Sequence, residues 1–294
     1  MAAREMERLE GNTWILPGAV NLGLYEREGR VWGVDSGGDD SSGRRVLRAL
    51  EGEGWTLEGI LCTHSHADHI GGNAFLQRRT GCRVAAPRGE AALVERPDLE
   101  PFTLWGAFPP KALRTKFLQA SPSRVTDPFD PGDVVGGCLR ALDLKGHMVA
   151  MAGAVTPDGV AFVGDSVLGE EILAKHGVPF FVDYPQALKT LDRLEALEAR
   201  LFVPSHGEPV RDVRPLAEAN RRVLSSLREE VRDLCRLRTR DGIVGALTAA
   251  RGRKNDLVAE VLHRASVSAL LSDLLDAGEV QVQEAPEGLV YQRV

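Results

Sequence analysis

The apolar residues of the first 210 positions fall into short runs separated by polar turns, a pattern typical of alternating strands and helices. The runs that predict strands are 14–16, 19–24, 31–34, 59–62, 149–155, 159–163 and 201–203, and those that predict helices are 44–50, 70–79 and 185–197. Pro157-Asp158-Gly159 predicts a hairpin turn between two of these strands. This alternation predicts a layered α/β sandwich.

The pattern changes beyond about residue 212, where helical periodicity takes over. One long helix is predicted over 215–238, with an apolar face formed by Leu216, Val223, Leu227, Val231 and Leu234. Shorter helices are predicted over 242–251, 256–264 and 267–276, with Asn255 and Ser266 as N-caps of the last two and Gly278 at the end, and a terminal hairpin joins 280–282 to 289–291. We therefore expect two domains, 1–212 and 213–294, the second a helical domain of winged-helix-like organisation.

Composition is that of a globular protein with a full core, since 43% of the 294 residues are hydrophobic. The charged N-terminus predicts no signal peptide, and the sequence has no apolar run of about 18 residues, so we expect a cytoplasmic protein without a membrane partner. Cys62, Cys82, Cys138 and Cys235 form no CxxC pair, which predicts reduced, buried thiols.

Candidate chemistry is concentrated in the segment His64-Ser65-His66-Ala67-Asp68-His69. Five of the seven histidines lie in this segment or in two later ones, Gly146-His147 and Pro204-Ser205-His206-Gly207, and Gly164-Asp165-Ser166 adds a carboxylate. Imidazole and carboxylate ligands suit Zn²⁺, Mn²⁺ or Fe²⁺, and the absence of cysteine argues against a closed structural zinc site.

Two adjacent metal ions are predicted from this set, with Zn²⁺ favoured and Fe²⁺ or Mn²⁺ as alternatives. The first ligand set is His64, His66 and His147, and the second ligand set is Asp68, His69 and His206. Asp165 is expected to bridge the two metals, and Asp68 and Asp165 are the predicted catalytic carboxylates. Coordination that stays open for water and substrate is typical of catalysis, here hydrolysis by a metal-bridging hydroxide.

Asp35, Thr63 and Ser166 are candidates to orient the ligands, because each lies at a predicted strand end beside a ligand. Residues 97–118 and the segment after Asp165 are rich in aromatics, and long connections at the ligand edge are expected to form the pocket walls. The predicted pocket residues are Trp105, Met148, Phe181 and Tyr184. His176 and His263 belong to no motif and are expected at the surface.

The ordered motifs resemble those of the metallo-β-lactamase-fold superfamily, in particular its glyoxalase II-like and lactonase-like members. The leading motif stands as Thr63-His64-Ser65-His66-Ala67-Asp68-His69-Ile70-Gly71-Gly72, preceded by Val34-Asp35-Ser36-Gly37 and followed by His147, Asp165 and His206. The resemblance covers roughly residues 10–210. It implies a four-layer αββα sandwich with the metals at one edge of the two sheets.

The resemblance leaves several activities open. The β-lactamases of this fold generally have a cysteine near the position of Asp165, which disfavours antibiotic hydrolysis. A persulfide dioxygenase would use one iron held by His64, His147 and Asp165. A ribonuclease or phosphodiesterase would use the C-terminal region, where residues 221–254 contain ten Arg or Lys against four Asp or Glu.

A solvated helix surface is the preferred interpretation of that basic region. The candidate recognition helix over 266–277 carries Asp273 and Asp276 but no Arg or Lys, and the net charge of the whole chain is −6. The sequence therefore predicts a dinuclear metallohydrolase of a small, partly apolar ester, thioester or lactone. Nucleic acid is the less favoured partner, a metal-binding regulator is ranked low, and a homodimer is left open.

Overall fold

The computed structural model describes residues 6–252 and 256–294. Its strands are β1 Glu7–Glu10, β2 Thr13–Leu16, β3 Leu22–Arg27, β4 Arg30–Val34, β5 Thr56–Leu61, β6 Arg83–Pro87, β7 Asp127–Phe129, β8 Val134–Val135, β9 Leu139–Asp143, β10 Ala152–Val155, β11 Val160–Gly164, β12 Leu201–Pro204, β13 Arg236–Thr239, β14 Val280–Ala285 and β15 Gly288–Arg293. Its helices are α1 Asp40–Glu53, α2 Ala67–Ile70, α3 Asn73–Thr80, α4 Ala91–Glu95, α5 Leu99–Trp105, α6 Glu170–His176, α7 Tyr184–Ala196, α8 Arg214–Leu234, α9 Arg240–Ala250 and α10 Leu257–Asp276.

Two sheets pack face to face. The first has seven strands in the order β1-β2-β3-β4-β5-β6-β7, and the second has five in the order β12-β11-β10-β9-β8. The core between them includes Trp32 and Leu61 from the first sheet and Leu139, Phe162 and Val203 from the second. Burying one face of each sheet in this way removes a large apolar area from water.

Helices cover the outer face of each sheet. Val46 and Leu50 of α1 pack with Ile60 of β5 on one side, and Leu191 of α7 and Leu216 of α8 belong to the core that covers the second sheet on the other. Helix α1 begins where the Asp39 carboxylate accepts the Ser41 amide, and it ends at Gly54 with a φ of 73°, a conformation that glycine adopts without strain. The predicted αββα sandwich is thereby confirmed.

Several boundaries in the sandwich differ from prediction, three of them near the candidate ligands or the sheet edge. The strand predicted over 19–24 begins at Leu22, and the strand predicted over 149–155 begins at Ala152. The helix predicted over 70–79 is divided into α2 and α3 at Gly71 and Gly72. A Cβ on Gly71 would lie 2.2 Å from the backbone of Gly38, so the chain passes too close there for any other residue.

The C-terminal segment has the element order α8, β13, α9, α10, β14, β15, with a three-stranded sheet in the order β13-β15-β14. The long predicted helix ends at Leu234, and 236–239 form β13, because these residues pair with β15 of the terminal hairpin. Helices and a hairpin are present as predicted, but the winged-helix assignment and the boundary at 212 stay predictions.

The two last predicted helices are one continuous helix, α10. Ser266 is no N-cap: it lies inside the helix, where its hydroxyl is 3.4 Å from the carbonyl oxygen of Leu262 and 3.0 Å from that of Pro179. Asp256 caps α10 by accepting the amides of Val258 and Ala259, and the predicted cap Asn255 lies outside the described residues.

All four cysteines are free and buried, as predicted. Among residues 6–252 and 256–294, no helix has the length and apolar character needed to cross a bilayer.

Candidate metal centre

Several candidate ligands, and Asp35, lie at the carboxyl ends of two pairs of parallel strands, whereas His147 lies in the connection between the antiparallel strands β9 and β10. β4 runs parallel to β5, and β11 runs parallel to β12. Asp35 follows β4, His64 lies beyond the end of β5, Asp165 follows β11, and His206 lies beyond the end of β12. Because parallel strands end at the same edge of their sheet, segments far apart in sequence converge there.

The first ligand set converges on His66. The Nε2 atoms of His64 and His147 lie 2.9 Å and 3.0 Å from His66 Nδ1. Three imidazole nitrogens at this spacing surround one point from three sides, as the donors of a metal ion do. His66 faces that point through Nδ1, whereas His64 and His147 face it through Nε2.

The second ligand set contacts Asp165. His69 Nε2 is 3.4 Å from Asp165 Oδ1, and His206 Nε2 is 3.5 Å from Asp165 Oδ2 and 3.4 Å from Asp68 Oδ2. Asp165 Oδ2 is also 3.6 Å from His147 Nε2 of the first set. One carboxylate thus touches both sets, which is the geometry that a bridging ligand requires.

Four of the five histidines have an acceptor on the ring nitrogen that faces away from the cluster, which we call the outer nitrogen. Nδ1 of His69 is 2.8 Å from Asp35 Oδ2, Nδ1 of His147 is 2.9 Å from the Phe180 carbonyl oxygen, and Nδ1 of His206 is 2.8 Å from the Ala19 carbonyl oxygen. His64 Nδ1 is 3.0 Å from Thr63 Oγ1. A carbonyl or carboxylate only accepts, so these rings donate from Nδ1 and direct Nε2 toward the cluster.

Asp35 organises this shell. It accepts the Thr63 amide and the Thr63 hydroxyl, each at 2.8 Å, so that the hydroxyl oxygen is left to accept from His64. The buried Asp35 carboxylate therefore contacts His69 directly and His64 through Thr63, which are the contacts expected of residues that orient these two rings. Asp35 has a φ of 60°, a conformation uncommon outside glycine. Ser166 is different, because its hydroxyl donates to the Val163 carbonyl rather than to a ligand.

Buried polar atoms without a partner indicate that this cluster fits metal ions. His69 Nε2 and Asp165 Oδ1 are both buried and have no hydrogen bond within the described residues. Buried unsatisfied donors and acceptors are costly unless a ligand occupies them. The ligand atoms of each set lie within 4.8 Å of one another, and nitrogen and carboxylate oxygen are what a borderline divalent cation binds.

The pKa values of the histidines are shifted in opposite directions in the two ligand sets. Burial, and then the neighbouring imidazoles, lower the pKa of His64 well below its usual range, and burial with His147 lowers the pKa of His66 to about 3. Burial also lowers the pKa of His147, so the first set is neutral and ready to bind a metal at pH 7. In the second set burial is outweighed by Asp165 and Asp68, which raise the pKa of His206 to about 10 and that of His69 well above its usual range.

The predicted pocket residues lie in packing positions. Met148, Phe181 and Tyr184 are buried in the core that covers the second sheet, and Trp105 packs in a separate cluster with residues of α10. The aromatic side chain beside the ligands is Phe180, whose ring centroid is 5.1 Å from that of His66 and 5.4 Å from that of His147. In this segment the aromatic residue beside the ligands is thus Phe180, the neighbour of the predicted Phe181.

Two buried glutamates near the site belong to none of the sequence motifs. Glu90 accepts the Ser65 hydroxyl of the ligand loop and the Ala150 amide. Glu100 Oε1 is 3.6 Å from His66 Nε2, the outer nitrogen of that ring. Burial, with the negative charges of Asp68 and Glu90, raises the pKa of Glu100 well above its usual range.

The two histidines outside the motifs differ. His176 is exposed as predicted, whereas His263 is buried in α10 with its Nδ1 3.0 Å from Thr248 Oγ1, so its predicted surface position is wrong. A hydroxyl on the facing helix satisfies the ring, which allows burial.

Curated relatives resemble parts of this chain. A hydroxyacylglutathione hydrolase from Rhodopseudomonas palustris (strain BisA53) is 32% identical over 163 residues, which are 53% of this chain and 51% of the relative. Another, from Rhodopseudomonas palustris (strain BisB18), is 56% identical over 54 residues, which are 18% of this chain and 21% of the relative. The chain therefore spans about a fifth to about half of the length of these two relatives.

Solved structures match nearly the whole chain, including the C-terminal segment. A metallo-beta-lactamase family protein from Thermus thermophilus superposes with a TM-score of 0.76 at 24% identity, over 96% of this chain and 99% of that protein. A beta-lactamase domain protein from Burkholderia ambifaria gives a TM-score of 0.74 at 24% identity, over 100% of this chain and 94% of that protein. The family model of the metallo-beta-lactamase superfamily matches residues 15–206, which contain every candidate ligand. The chain belongs to the metallo-beta-lactamase superfamily.

Proposed function

We propose that this protein is a dinuclear metal-dependent hydrolase of a small ester, thioester or lactone. The observation that carries the proposal is the contact of Asp165 with both ligand sets, 3.4 Å from His69 and 3.6 Å from His147. A site built for one ion has no need of a carboxylate placed between two groups of donors. The curated relatives named hydroxyacylglutathione hydrolase support hydrolytic chemistry of the thioester type.

Two bound divalent metals would supply a water of lowered pKa and would polarise the carbonyl oxygen of the substrate. We propose Zn²⁺, held by His64, His66 and His147 at one position and by Asp68, His69 and His206 at the other. The chain itself supplies orientation, because the outer nitrogen of each Nε2 ligand is fixed by an acceptor.

The opening of the site lies beside Asp68, whose side chain is 44% exposed while that of Asp165 is 8% exposed. Asp68 is therefore the carboxylate more accessible to a substrate, whereas Asp165 lies deeper in the site and would hold the metals there. Val149, two residues after His147, is 61% exposed, and the ring of Phe180 covers His66 and His147. Apolar side chains at this position support a partly apolar acyl group rather than a highly charged substrate.

A nuclease role receives less support from the C-terminal segment. Its arginines are largely engaged by acidic side chains, Arg228 by Asp273 and Glu279, and Arg251 by Glu230. Asp273 of the candidate recognition helix is thus turned toward α8 instead of toward a groove. Guanidinium groups held in this way are poor phosphate contacts, because the carboxylates must be displaced first.

The test is a substrate screen on protein loaded with two equivalents of Zn²⁺. We expect turnover of small esters, thioesters or lactones, with phosphodiester hydrolysis slower by at least about a hundredfold in kcat/KM, a difference of about 2.7 kcal/mol in barrier height. His66→Ala and His206→Ala should each abolish turnover while the circular dichroism spectrum stays that of the wild type. Phosphodiester turnover that exceeds ester turnover, or oxygen uptake with a persulfide by protein holding one iron, would replace this proposal.

A further inference from the structure

Helix α10 of the C-terminal segment contacts two separate pieces of chain that border the metal centre. One is α5, which carries Glu100, and the other is the loop at 179–181, which carries Phe180. Each of these pieces in turn contacts a histidine of the first ligand set. The two routes are independent in sequence, since α5 precedes the hairpin of the second sheet and the loop at 179–181 follows it.

The first route passes through an apolar cluster. Helix α5 and helix α10 meet in a cluster to which they contribute Leu104, Trp105, Leu257, Val258, Val261 and Leu262. Burial of these side chains fixes the short helix α5 against α10, because seven residues alone do not make a stable helix. Packing in this cluster therefore fixes the position of Glu100, which lies at the start of α5.

Glu100 lies beside His66, the one histidine of the five whose outer nitrogen has no hydrogen-bond acceptor among the described residues. His66 uses Nδ1 to face the first set, so Nε2 is its outer nitrogen, and Glu100 Oε1 lies 3.6 Å from it. Within the described residues no hydrogen bond reaches the Glu100 side chain, although it is only 7% exposed. A carboxyl group keeps an acceptor oxygen in either protonation state, so it can receive the Nε2–H of His66.

The second route passes through one hydroxyl. Ser266 Oγ donates to the Pro179 carbonyl at 3.0 Å and accepts from the Phe181 amide at 3.3 Å. The residue between them, Phe180, has its carbonyl 2.9 Å from His147 Nδ1. Because the Ser266 hydroxyl bonds to the residue before Phe180 and to the residue after it, it fixes the direction of the Phe180 carbonyl. That carbonyl in turn fixes the orientation of the His147 ring.

We propose that Glu100 and Ser266 are positioning residues for the first metal, and that α10 is the element that holds both of them in place. The second metal is supported differently, by Asp35 on His69 and by the Ala19 carbonyl on His206, both within the sandwich. The inference takes its metal positions from the proposed function, but it concerns metal affinity and is independent of the substrate.

The experiment is a Co²⁺ titration of metal-free protein, followed by its visible absorption and by competition with a chelating dye. We expect Glu100→Ala and Ser266→Ala each to weaken one of the two equivalents by about tenfold or more, as loss of a residue that positions a metal ligand does. Glu100→Gln should restore most of the affinity, because the amide oxygen accepts the same N–H.

Two backgrounds identify which metal is affected. In a His206→Ala background, which damages the second set, Glu100→Ala should weaken the remaining equivalent. In a His147→Ala background, which damages the first set, Glu100→Ala should leave the remaining equivalent unchanged. Matched controls are Ser272→Ala, on the same helix with a hydroxyl bonded only to the Ser268 carbonyl, and Glu95→Gln, an exposed carboxylate on α4.

The inference is overturned if Glu100→Ala weakens both equivalents equally, or if neither variant changes either equivalent. Urea unfolding of the metal-free variants checks that each is folded, and Glu100→Gln carries the comparison if Glu100→Ala is not. Two tightly bound metals with the expected dependence on Glu100, but without hydrolysis of any ester, thioester or lactone in the screen, would refute the proposed function and leave this inference standing.

Discussion

Asp35 gives the sharpest test of how the metal centre is built. Its carboxylate accepts three hydrogen bonds of 2.8 Å, from the Thr63 amide, the Thr63 hydroxyl and His69 Nδ1. Asp35→Asn keeps the size of the side chain, and asparagine tolerates a positive φ such as the 60° found here. The substitution therefore removes one acceptor atom and the charge with little change in packing.

The expected magnitude follows from those contacts. The amide oxygen of asparagine can still accept the Thr63 amide, but its NH₂ group cannot accept from the Thr63 hydroxyl or from His69. Two hydrogen bonds to a charged group are lost, at about 1.5–3 kcal/mol each, so we expect the metal-free protein to lose about 3–6 kcal/mol of unfolding free energy. Because Asp35 orients His69 directly and His64 through Thr63, affinity for both metals should fall by about tenfold or more.

The assays are urea unfolding of the metal-free protein and chelator competition for each metal. Asp158→Asn is the matched control, since Asp158 also accepts a backbone amide, that of Asn12, and a threonine hydroxyl, that of Thr13, away from the ligands. The control should leave metal affinity unchanged. Wild-type affinity for both metals in folded Asp35→Asn would refute the argument that this carboxylate orients the ligands.

Three further predictions concern the ligands and the loop that carries them. Asp165→Asn should lower occupancy at both metals and reduce turnover at least about tenfold, as elemental analysis and kinetics will show; two tightly held metals in an active variant would contradict bridging. Since the pKa of His206 is raised to about 10, its charged form stabilises the metal-free protein fully below about pH 6.5, and this stability is lost as pH rises through 10. Unfolding measured over that range should show the loss in the wild type, and His206→Ala should show a shallower one. Gly71→Ala should cost about 2 kcal/mol or more, because its Cβ would lie 2.2 Å from Gly38; unchanged thermal unfolding would count against that contact.

The parts of the site that were predictable from sequence are those in which a residue and its strand are adjacent along the chain. His64, Asp165 and His206 each follow an apolar run, and the ends of parallel strands meet at one edge whatever the details of packing. Asp35 was identifiable for the same reason. The ligand groups could therefore be assembled from residue type and position alone, although sequence cannot say which nitrogen of each ring faces the metal.

Glu100 was not predictable, because its position depends on contacts distant in the chain. Its partner His66 is in another segment, and α5 is held by Val261 and its neighbours in α10. The same kind of contact explains why α10 is continuous. Serine is a common N-cap, but the Ser266 hydroxyl donates to the distant Pro179 carbonyl and the residue lies inside the helix. β13 is likewise a tertiary effect, since 236–239 continue the polarity of a helix and become a strand by pairing with β15.

The packing of the C-terminal helices on the second sheet also bears on the predicted domain boundary at residue 212. Leu224 and Leu227 of α8 and Leu270 of α10 belong to the same core as Val163 and Phe202 of the second sheet. A chain ending at 212 would expose that face of the sheet, and it would also lose the helix that holds α5 and the loop at 179–181. We therefore expect the sandwich to need its C-terminal segment both to stay folded and to keep His66 and His147 in the orientation that binds the first metal.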